Sequence, residues 1–228
     1  MGLRRQYIDY IQECVDATLG DLRGRTMLEL GNQQIPRRQG IAERTGKAYY
    51  TRRGAIHTSL DFNGQDGAVA LDLSKAIDKP EWDGHFDIIT NAGTTEHVEP
   101  YEAQYECFAN IHRWLKPGGI VVHIVPGIEE LEPKGRWRGH CNNYYSRHFF
   151  ERLAGANGYE LVSTRVIREL RAACLRKVDE RPFEADRAAF LESITRKEGG
   201  MVYYGADDPA GRSLRYVAKR WLRKIGIK

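Results

Sequence analysis

The 228-residue sequence lacks the features that mark several classes of protein. No apolar run approaches the roughly 18 residues that a membrane-spanning helix requires. The four cysteines are scattered without a Cys-x-x-Cys pair, a spacing that suits neither a disulfide framework nor a zinc knuckle. Asp9 and Glu13 precede any apolar run, so no cleaved signal peptide is predicted and a cytoplasmic location is the default expectation.

The sequence also lacks a strong charge of one sign. Its formal net charge of +4 is too small to indicate a nucleic-acid-binding protein. The basic residues are concentrated at the end, where residues 210–228 contain seven of them and no acidic residue. An apolar stripe at helical spacing, Leu214, Val217, Trp221 and Ile225, predicts a basic amphipathic helix there. Such a helix docks on its own domain, makes a peripheral contact with an anionic membrane surface or binds an acidic partner.

Short apolar segments alternate with helical patterns through most of the chain, which predicts an α/β fold with a doubly wound, mostly parallel sheet. Strands are predicted at residues 26–30, 56–61, 68–72, 86–90, 120–125, 159–166 and 171–178. Helices are predicted within residues 1–20, 101–115 and 146–156. We divide the chain into a cofactor-binding domain, residues 1–180, and a helical C-terminal appendage, residues 181–228.

In an open parallel sheet, ligands bind outside the carboxyl ends of the strands, where the strand order reverses. A pyrophosphate needs closely spaced glycines in the first turn. Here Gly31 is followed by no second glycine until Gly40, and the carboxylate of Glu29 would repel a phosphate. The sequence therefore disfavours a dinucleotide.

A cationic adenosine ligand without phosphates suits the strand ends better. Glu29 could attract an ammonium or sulfonium group, directly or through water, and Asp61 could accept both ribose hydroxyls. Asp72 could accept from the adenine amino group while Leu73 packs on the ring. The ligand with these groups is S-adenosylmethionine.

Six segments, in order, carry a resemblance to the class I S-adenosylmethionine-dependent methyltransferases. They are Leu28-Glu29-Leu30-Gly31, Ser59-Leu60-Asp61, Ala70-Leu71-Asp72-Leu73-Ser74, Phe86-Asp87-Ile88-Ile89, Glu96-His97-Val98 and Leu115-Lys116-Pro117-Gly118-Gly119. The resemblance implies a Rossmann-like sheet of seven strands, the last one antiparallel. It also implies a cofactor site made of Glu29, Gly31, Asn32, Asp61, Phe62, Asp72, Leu73, Asn91, Ala92 and Gly93.

Two alternatives remain beside this hypothesis. The first loop has one glycine where the resembling family usually has two or three, which leaves open a non-catalytic subunit with the methyltransferase fold. Asn91-Ala92-Gly93 also resembles a segment of short-chain dehydrogenases, which use NAD. Those enzymes need a Tyr-x-x-x-Lys pair, whereas here Tyr101 is followed by Tyr105 and Tyr105 by Ala109.

Methyl transfer mainly requires alignment of the reacting atoms, and a general base is needed only for a hydroxyl or a protonated amine. His97 and His140 are the candidate bases, although His97 could instead be a structural residue of its loop. Interleaved basic and aromatic residues predict an acceptor site at Arg136, Trp137, Arg138 and Tyr144, unless Trp137 simply closes over the core. No group with metal-ligand spacing is evident, so no metal is predicted.

These observations predict an S-adenosylmethionine-dependent methyltransferase that acts on a small-molecule or sugar-like acceptor, at oxygen. Micromolar binding of the cofactor without turnover would favour the non-catalytic subunit, and preference for a nicotinamide would favour the dehydrogenase.

Overall fold

A computed structural model describes residues 2–128, 137 and 139–205 of the chain. The helices in this part are α1 (Arg5–Thr18), α2 (Gly46–Arg52), α3 (Ala103–Trp114), α4 (Arg147–Ala156) and α5 (Arg187–Ser193). The strands are β1 (Thr26–Leu30), β2 (Ile56–Asp61), β3 (Val69–Ala70), β4 (Phe86–Asn91), β5 (Leu115–Pro126), β6 (Asn143–Tyr145), β7 (Tyr159–Ile167), β8 (Leu170–Lys177) and β9 (Met201–Tyr203).

Seven strands form the main sheet, in the order β3-β2-β1-β4-β5-β8-β7. The first five run parallel, and β8 is antiparallel to both of its neighbours, β5 and β7. The predicted doubly wound sheet with a final antiparallel strand is therefore confirmed. The order reverses between β1 and β4, so the carboxyl ends of these two strands flank the position where such sheets bind ligands.

Helices cover both faces of the sheet because successive strand residues point to opposite sides. Met27 packs with the buried face of α1, whose Ile8, Ile11 and Val15 recur at helical spacing. Leu28 packs on the opposite face, together with apolar residues of α3, α4 and α5. Strands buried on both faces read as continuous apolar runs, as β1 and β5 do.

Side-chain hydrogen bonds mark the starts of two helices. The Thr45 hydroxyl accepts a hydrogen bond from the Ala48 amide and begins α2, and the Ser146 hydroxyl accepts one from the Phe149 amide and begins α4. Both are N-cap interactions, which satisfy an amide that has no partner inside the helix.

Strand bounds differ from the prediction by more than one residue at two places. The fifth strand begins at Leu115, which pairs with Phe86, and pairing resumes at Ile120 with Ile88. Residues 116–119, which lie between the predicted helix and the predicted strand, are therefore an irregularity inside β5. The third strand has only two residues, Val69 and Ala70, and the rest of its predicted length is loop.

A second, two-stranded sheet was not predicted. It pairs β6 with β9 in antiparallel register, Tyr144 lying opposite Val202. Three-residue strands joined across such a long stretch of chain have no local sequence signal, because their stability comes from tertiary packing.

The C-terminal prediction can be followed only as far as residue 205. Residues 187–203, inside the predicted appendage, place Phe190, Ile194 and Met201 in the main hydrophobic core. The boundary at residue 180 stays a prediction, and the basic helix predicted for residues 210–228 lies outside the described residues. In the part of the chain that is described, none of the helices combines the length and the apolar character needed to cross a bilayer.

Candidate functional site

A cavity of about 520 Å³ lies at the carboxyl ends of β3, β2, β1 and β4, at the reversal of strand order. It is lined by Gly31, Asn32, Gln33, Leu60, Asp61, Phe62, Leu71, Asp72, Leu73, Ser74, Gly93, Thr94, His97, Val98 and Glu99. Eight of the residues predicted to act in the site therefore share one cavity: Gly31, Asn32, Asp61, Phe62, Asp72, Leu73, Gly93 and His97. We call the part formed by residues 31–33, 60–62 and 71–74 the β3 end, and the part formed by residues 93–99 the β4 end.

The turn after β1 requires glycine. Gly31 has a φ of +81°, a left-handed conformation that side chains disfavour. A Cβ at this position would lie 2.6 Å from the Thr94 hydroxyl and 2.8 Å from Nε2 of Gln33. The backbones after β1 and β4 thus approach each other closely at the middle of the cavity.

Asp61 closes the turn after β1 from the end of β2. Its carboxylate accepts hydrogen bonds from the amides of Asn32, at 2.9 Å, and Asn63, at 3.1 Å. A carboxylate has about four acceptor positions, so two bonds leave capacity for a ligand's hydroxyl groups. Phe62, beside it, is 80% exposed at the wall of the cavity, which offers an apolar surface to a ring.

Asp72 follows β3 and is held in place by its own turn. One carboxylate oxygen accepts from both the amide and the hydroxyl of Ser74, and the other lies 3.2 Å from the Lys75 ammonium. The hydrogen bond from the Ser74 hydroxyl is the main cause that lowers the pKa of the Asp72 carboxyl. A fixed, ionised acceptor therefore stands beside Leu73 in the cavity wall.

Glu29 lies behind the cavity and not in its lining. Its carboxylate accepts a hydrogen bond from the Gln33 amide at 3.0 Å, and its other oxygen lies 3.9 Å from Nε2 of His57. A Cβ on Gly46 would lie 1.9 Å from this carboxylate, so only glycine fits there. In this arrangement Glu29 positions the Gln33 backbone, and its contact with a cofactor stays a prediction.

Asn91, at the end of β4, also lies beneath the cavity. Its amide oxygen accepts from the amides of Thr94 and Thr95, while its nitrogen donates to the Thr95 hydroxyl and to Nδ1 of His123. All four hydrogen-bonding positions of the side chain are thus used within the protein. The predicted cofactor residue Asn91 instead fixes the loop that carries the β4 end, and Ala92 is buried in the core beside it.

Three titratable side chains meet at the β4 end. Glu96 is fully buried, and neither of its carboxylate oxygens has a hydrogen-bond partner among the described residues. Burial raises the pKa of Glu96 to about 8. Nε2 of His97 lies 3.8 Å from the Glu96 carboxylate, and the His140 ring packs edge-on against the His97 ring at 5.1 Å. The two predicted bases are therefore neighbours.

The loop that carries Glu96 and His97 is held by the strand β6 and the helix α3. The Asn143 side chain donates to the backbone oxygens of Glu96 and Val98. The Gln104 side chain donates to the backbone oxygens of Thr95 and Val98. These bonds fix the loop backbone, and they bring the segment around His140 onto the β4 end.

The predicted acceptor residues are only partly described. Trp137 is buried, packs edge-on against His140 at 5.0 Å and donates to the Arg168 carbonyl. Tyr144 is buried too, and its hydroxyl donates to the Trp137 carbonyl at 2.9 Å. Neither residue lines the cavity, and both position the turn that carries His140. Arg136 and Arg138 lie outside the described residues.

Sequence reasoning missed several residues of the cavity, among them Gln33, Ser74, Thr94 and Glu99. Ser74 had a usable signal, because the side chain of an aspartate commonly accepts a hydrogen bond from the backbone amide two residues further along the chain. Gln33 and Thr94 had none, since their place depends on how the loops after β1 and β4 meet. Glu96 stood in a quoted segment, yet its burial was not visible in the sequence.

Fold and cavity together define a class of protein: Rossmann-like methyltransferases with a cofactor cleft over β3, β2, β1 and β4. A family model described as a methyltransferase domain matches residues 9–164. The chain belongs to this family of S-adenosylmethionine-dependent methyltransferases, and S-adenosylmethionine is its cofactor. No curated protein matches the sequence.

Two solved structures illustrate the shared fold. The 1,6-didemethyltoxoflavin-N1-methyltransferase of Burkholderia thailandensis is 19% identical, with a TM-score of 0.50, and the match covers 74% of this chain and 76% of that one. Phosphoethanolamine N-methyltransferase 1 of Haemonchus contortus is 10% identical, with a TM-score of 0.58. That match covers 94% of this chain and 48% of the relative, about half of its length.

Proposed function

We propose that this enzyme transfers a methyl group to an oxygen atom of a small-molecule or sugar-like acceptor. The observation that carries the proposal is the group Glu96, His97 and His140 at the β4 end, with His97 facing the cavity. A neutral amine or an activated carbon needs no such proton-handling group, whereas a hydroxyl must lose its proton during transfer.

The cofactor's placement follows from the order of the strands. Neighbouring strands lie about 4.8 Å apart, so the four strand ends along the cavity span roughly 14 Å. We assign the adenine to Asp72 and Leu73, the ribose hydroxyls to Asp61, and the amino-acid part to the turn at Gly31. Phe62 would cover the adenine from the open side. When bound, S-adenosylmethionine supplies a methyl group on a positively charged sulfur, transferred as the carbon–sulfur electron pair stays on sulfur.

This placement directs the methyl group toward the β4 end, where the residues of the chain act on the acceptor. His97 and His140 are assigned to the acceptor hydroxyl, since His97 lines the cavity and the His140 ring packs on the His97 ring. Asn91, Asn143 and Gln104 hold the loop backbone, so the acceptor group meets side chains that are already oriented. Alignment of this kind supplies several kcal/mol of the barrier in group-transfer reactions.

The small-molecule class of acceptor has support from the relatives. The Burkholderia enzyme holds 1,6-didemethyltoxoflavin together with S-adenosylhomocysteine, and the Haemonchus enzyme holds phosphoethanolamine with the same product. Both names describe N-methyltransferases, so the choice of oxygen rests on the β4 end of this chain and not on the relatives.

The test is a methyl-transfer assay with S-adenosylmethionine labelled in its methyl group and a panel of acceptors. The panel holds sugars, catechols, carboxylic acids and amines of similar size. We expect labelled ethers or esters, with turnover that rises as the pH increases through the neutral range. Labelled amines as the sole products would contradict transfer to oxygen. Binding of cofactor with no product from any acceptor would favour a non-catalytic subunit.

A further inference from the structure

The carboxylate of Glu96 is fully buried, and neither of its oxygens receives a hydrogen bond from the described residues. Placing an unpaired carboxylate in the interior is costly, and buried carboxylates are normally paired with a cation or bound to a metal. No lysine or arginine in the described part of the chain forms an ion pair with it.

Two imidazoles stand at the same place. One ligand atom each from Glu96, His97 and His140 lies within 4.8 Å of the other two. Metal ligands at bonds of about 2.0–2.2 Å stand roughly 3–4 Å apart. Nε2 of His97 and the Glu96 carboxylate already meet this spacing at 3.8 Å. The ligand atom of His140 lies within 4.8 Å of the other two.

We propose that Glu96, His97 and His140 bind one divalent transition-metal cation at the β4 end of the cavity. Two imidazoles and one carboxylate form a ligand set suited to Zn²⁺ and other divalent first-row transition metals, whereas Mg²⁺ prefers oxygen ligands alone. The site was not evident in the sequence because His140 lies far along the chain from Glu96 and reaches it through the β6 segment.

Three protein ligands leave a coordination position open toward the cavity, because His97 lines it. Resting on the proposed function, we assign this position to the acceptor oxygen. A bound cation lowers the pKa of a coordinated hydroxyl, so the oxygen could lose its proton to solvent near neutral pH. The metal would then promote loss of the hydroxyl proton in place of a general base, with both histidines acting as ligands.

The experiment titrates Zn²⁺ into the full-length protein after removal of metals with a chelator. We expect one Zn²⁺ per chain with micromolar or tighter affinity by calorimetry, and no comparable binding of Mg²⁺. Glu96→Gln and His140→Ala should each weaken Zn²⁺ at least about tenfold. Glu96→Gln keeps the size of the buried side chain, and His140→Ala serves if that variant does not fold.

The matched control is His148→Ala, which removes an exposed histidine on α4 that lies outside the group. It should leave Zn²⁺ binding unchanged. The four cysteines are all buried, so they do not offer competing exposed thiolates. Three results would overturn the proposal. They are no stoichiometric binding of Zn²⁺, binding of Zn²⁺ by both site variants as tight as by the wild type, and binding of Mg²⁺ as tight as that of Zn²⁺.

A parallel titration of the metal-free protein with S-adenosylhomocysteine separates the two proposals. Binding of S-adenosylhomocysteine without binding of Zn²⁺ would overturn the metal site and leave the methyltransferase function standing, with His97 as the predicted base. Loss of both would count against the assignment of the whole cavity.

Discussion

The two ends of the cavity are built in different ways. At the β3 end each carboxylate has hydrogen-bond donors: the amides of Asn32 and Asn63 for Asp61, and Ser74 for Asp72. At the β4 end Glu96 has no such partner, and His97 meets His140 from a distant part of the chain. The β3 end thus presents carboxylates that hydrogen bonds already hold in place, while the β4 end presents a buried carboxylate without such a bond.

The largest expected effect is on turnover, and it comes from a change at the β4 end. His97→Ala should lower turnover about 100-fold, since either role of this imidazole acts on the acceptor oxygen. The affinity for S-adenosylhomocysteine should change less than about threefold, because the assigned cofactor contacts lie elsewhere. Steady-state kinetics and calorimetry on the same preparation measure both values, with His148→Ala as the control. A loss of turnover of only a few-fold would return His97 to a structural role.

A backbone change at the junction of the two ends should have the next largest effect. Gly31→Ala adds left-handed strain of about 1–2 kcal/mol and a collision with Thr94. We expect the affinity for S-adenosylhomocysteine to fall on the order of 30-fold. Gly20→Ala is the matched control, because Gly20 has a φ of +84° with nothing within 4 Å of the added Cβ. Equal affinities in the two variants would show that the turn at Gly31 does not shape the site.

A smaller effect should come from the β3 end alone. Asp61→Ala should weaken S-adenosylhomocysteine by about 1–3 kcal/mol through the loss of charge-assisted hydrogen bonds. Asp66→Ala is the control, since Asp66 accepts a hydrogen bond from the Asn32 side chain, where Asp61 accepts from the Asn32 amide, and Asp66 does not line the cavity. Calorimetry should show a near-normal affinity for the control. An unchanged affinity in Asp61→Ala would remove Asp61 from the cofactor site.

A fourth effect concerns stability and leaves cofactor binding aside. Burial lowers the pKa of His123, which accepts from Asn91 beneath the β4 end, to about 3. The unfolded chain, with an ordinary histidine pKa near 6.5, binds this proton more readily, so stability is lost as the pH falls below about 6.5.

The slope should approach about 1.4 kcal/mol per pH unit for this one group. His123→Gln, which keeps an acceptor for Asn91, should show a smaller loss between pH 7 and pH 5. Urea unfolding at the two pH values measures the difference. The same slope in the wild type and the variant would contradict a neutral buried His123.

The comparison of the two ends also explains what the sequence could predict. The strands of the main sheet and the turn at Asp72 depend on signals within a few residues, such as the apolar run that ends at Gly31. The resemblance to class I methyltransferases added the antiparallel strand β8, which the sheet confirms.

Long-range placement was beyond the same signals. Asn91 has the residue type of a ligand contact, yet its hydrogen bonds are all used inside the protein. The β6–β9 pairing brings Tyr144 and the His140 turn onto the loop of Glu96, and no periodicity encodes a pairing of three-residue strands. What the sequence left open at the β4 end is therefore what tertiary packing decides.

The cavity is tested most directly by calorimetry of the wild-type protein with S-adenosylmethionine, S-adenosylhomocysteine and NAD in parallel. We expect micromolar binding of the two adenosyl ligands and none of NAD. Binding of NAD, or of none of the three, would contradict the assignment of the cavity as an S-adenosylmethionine site.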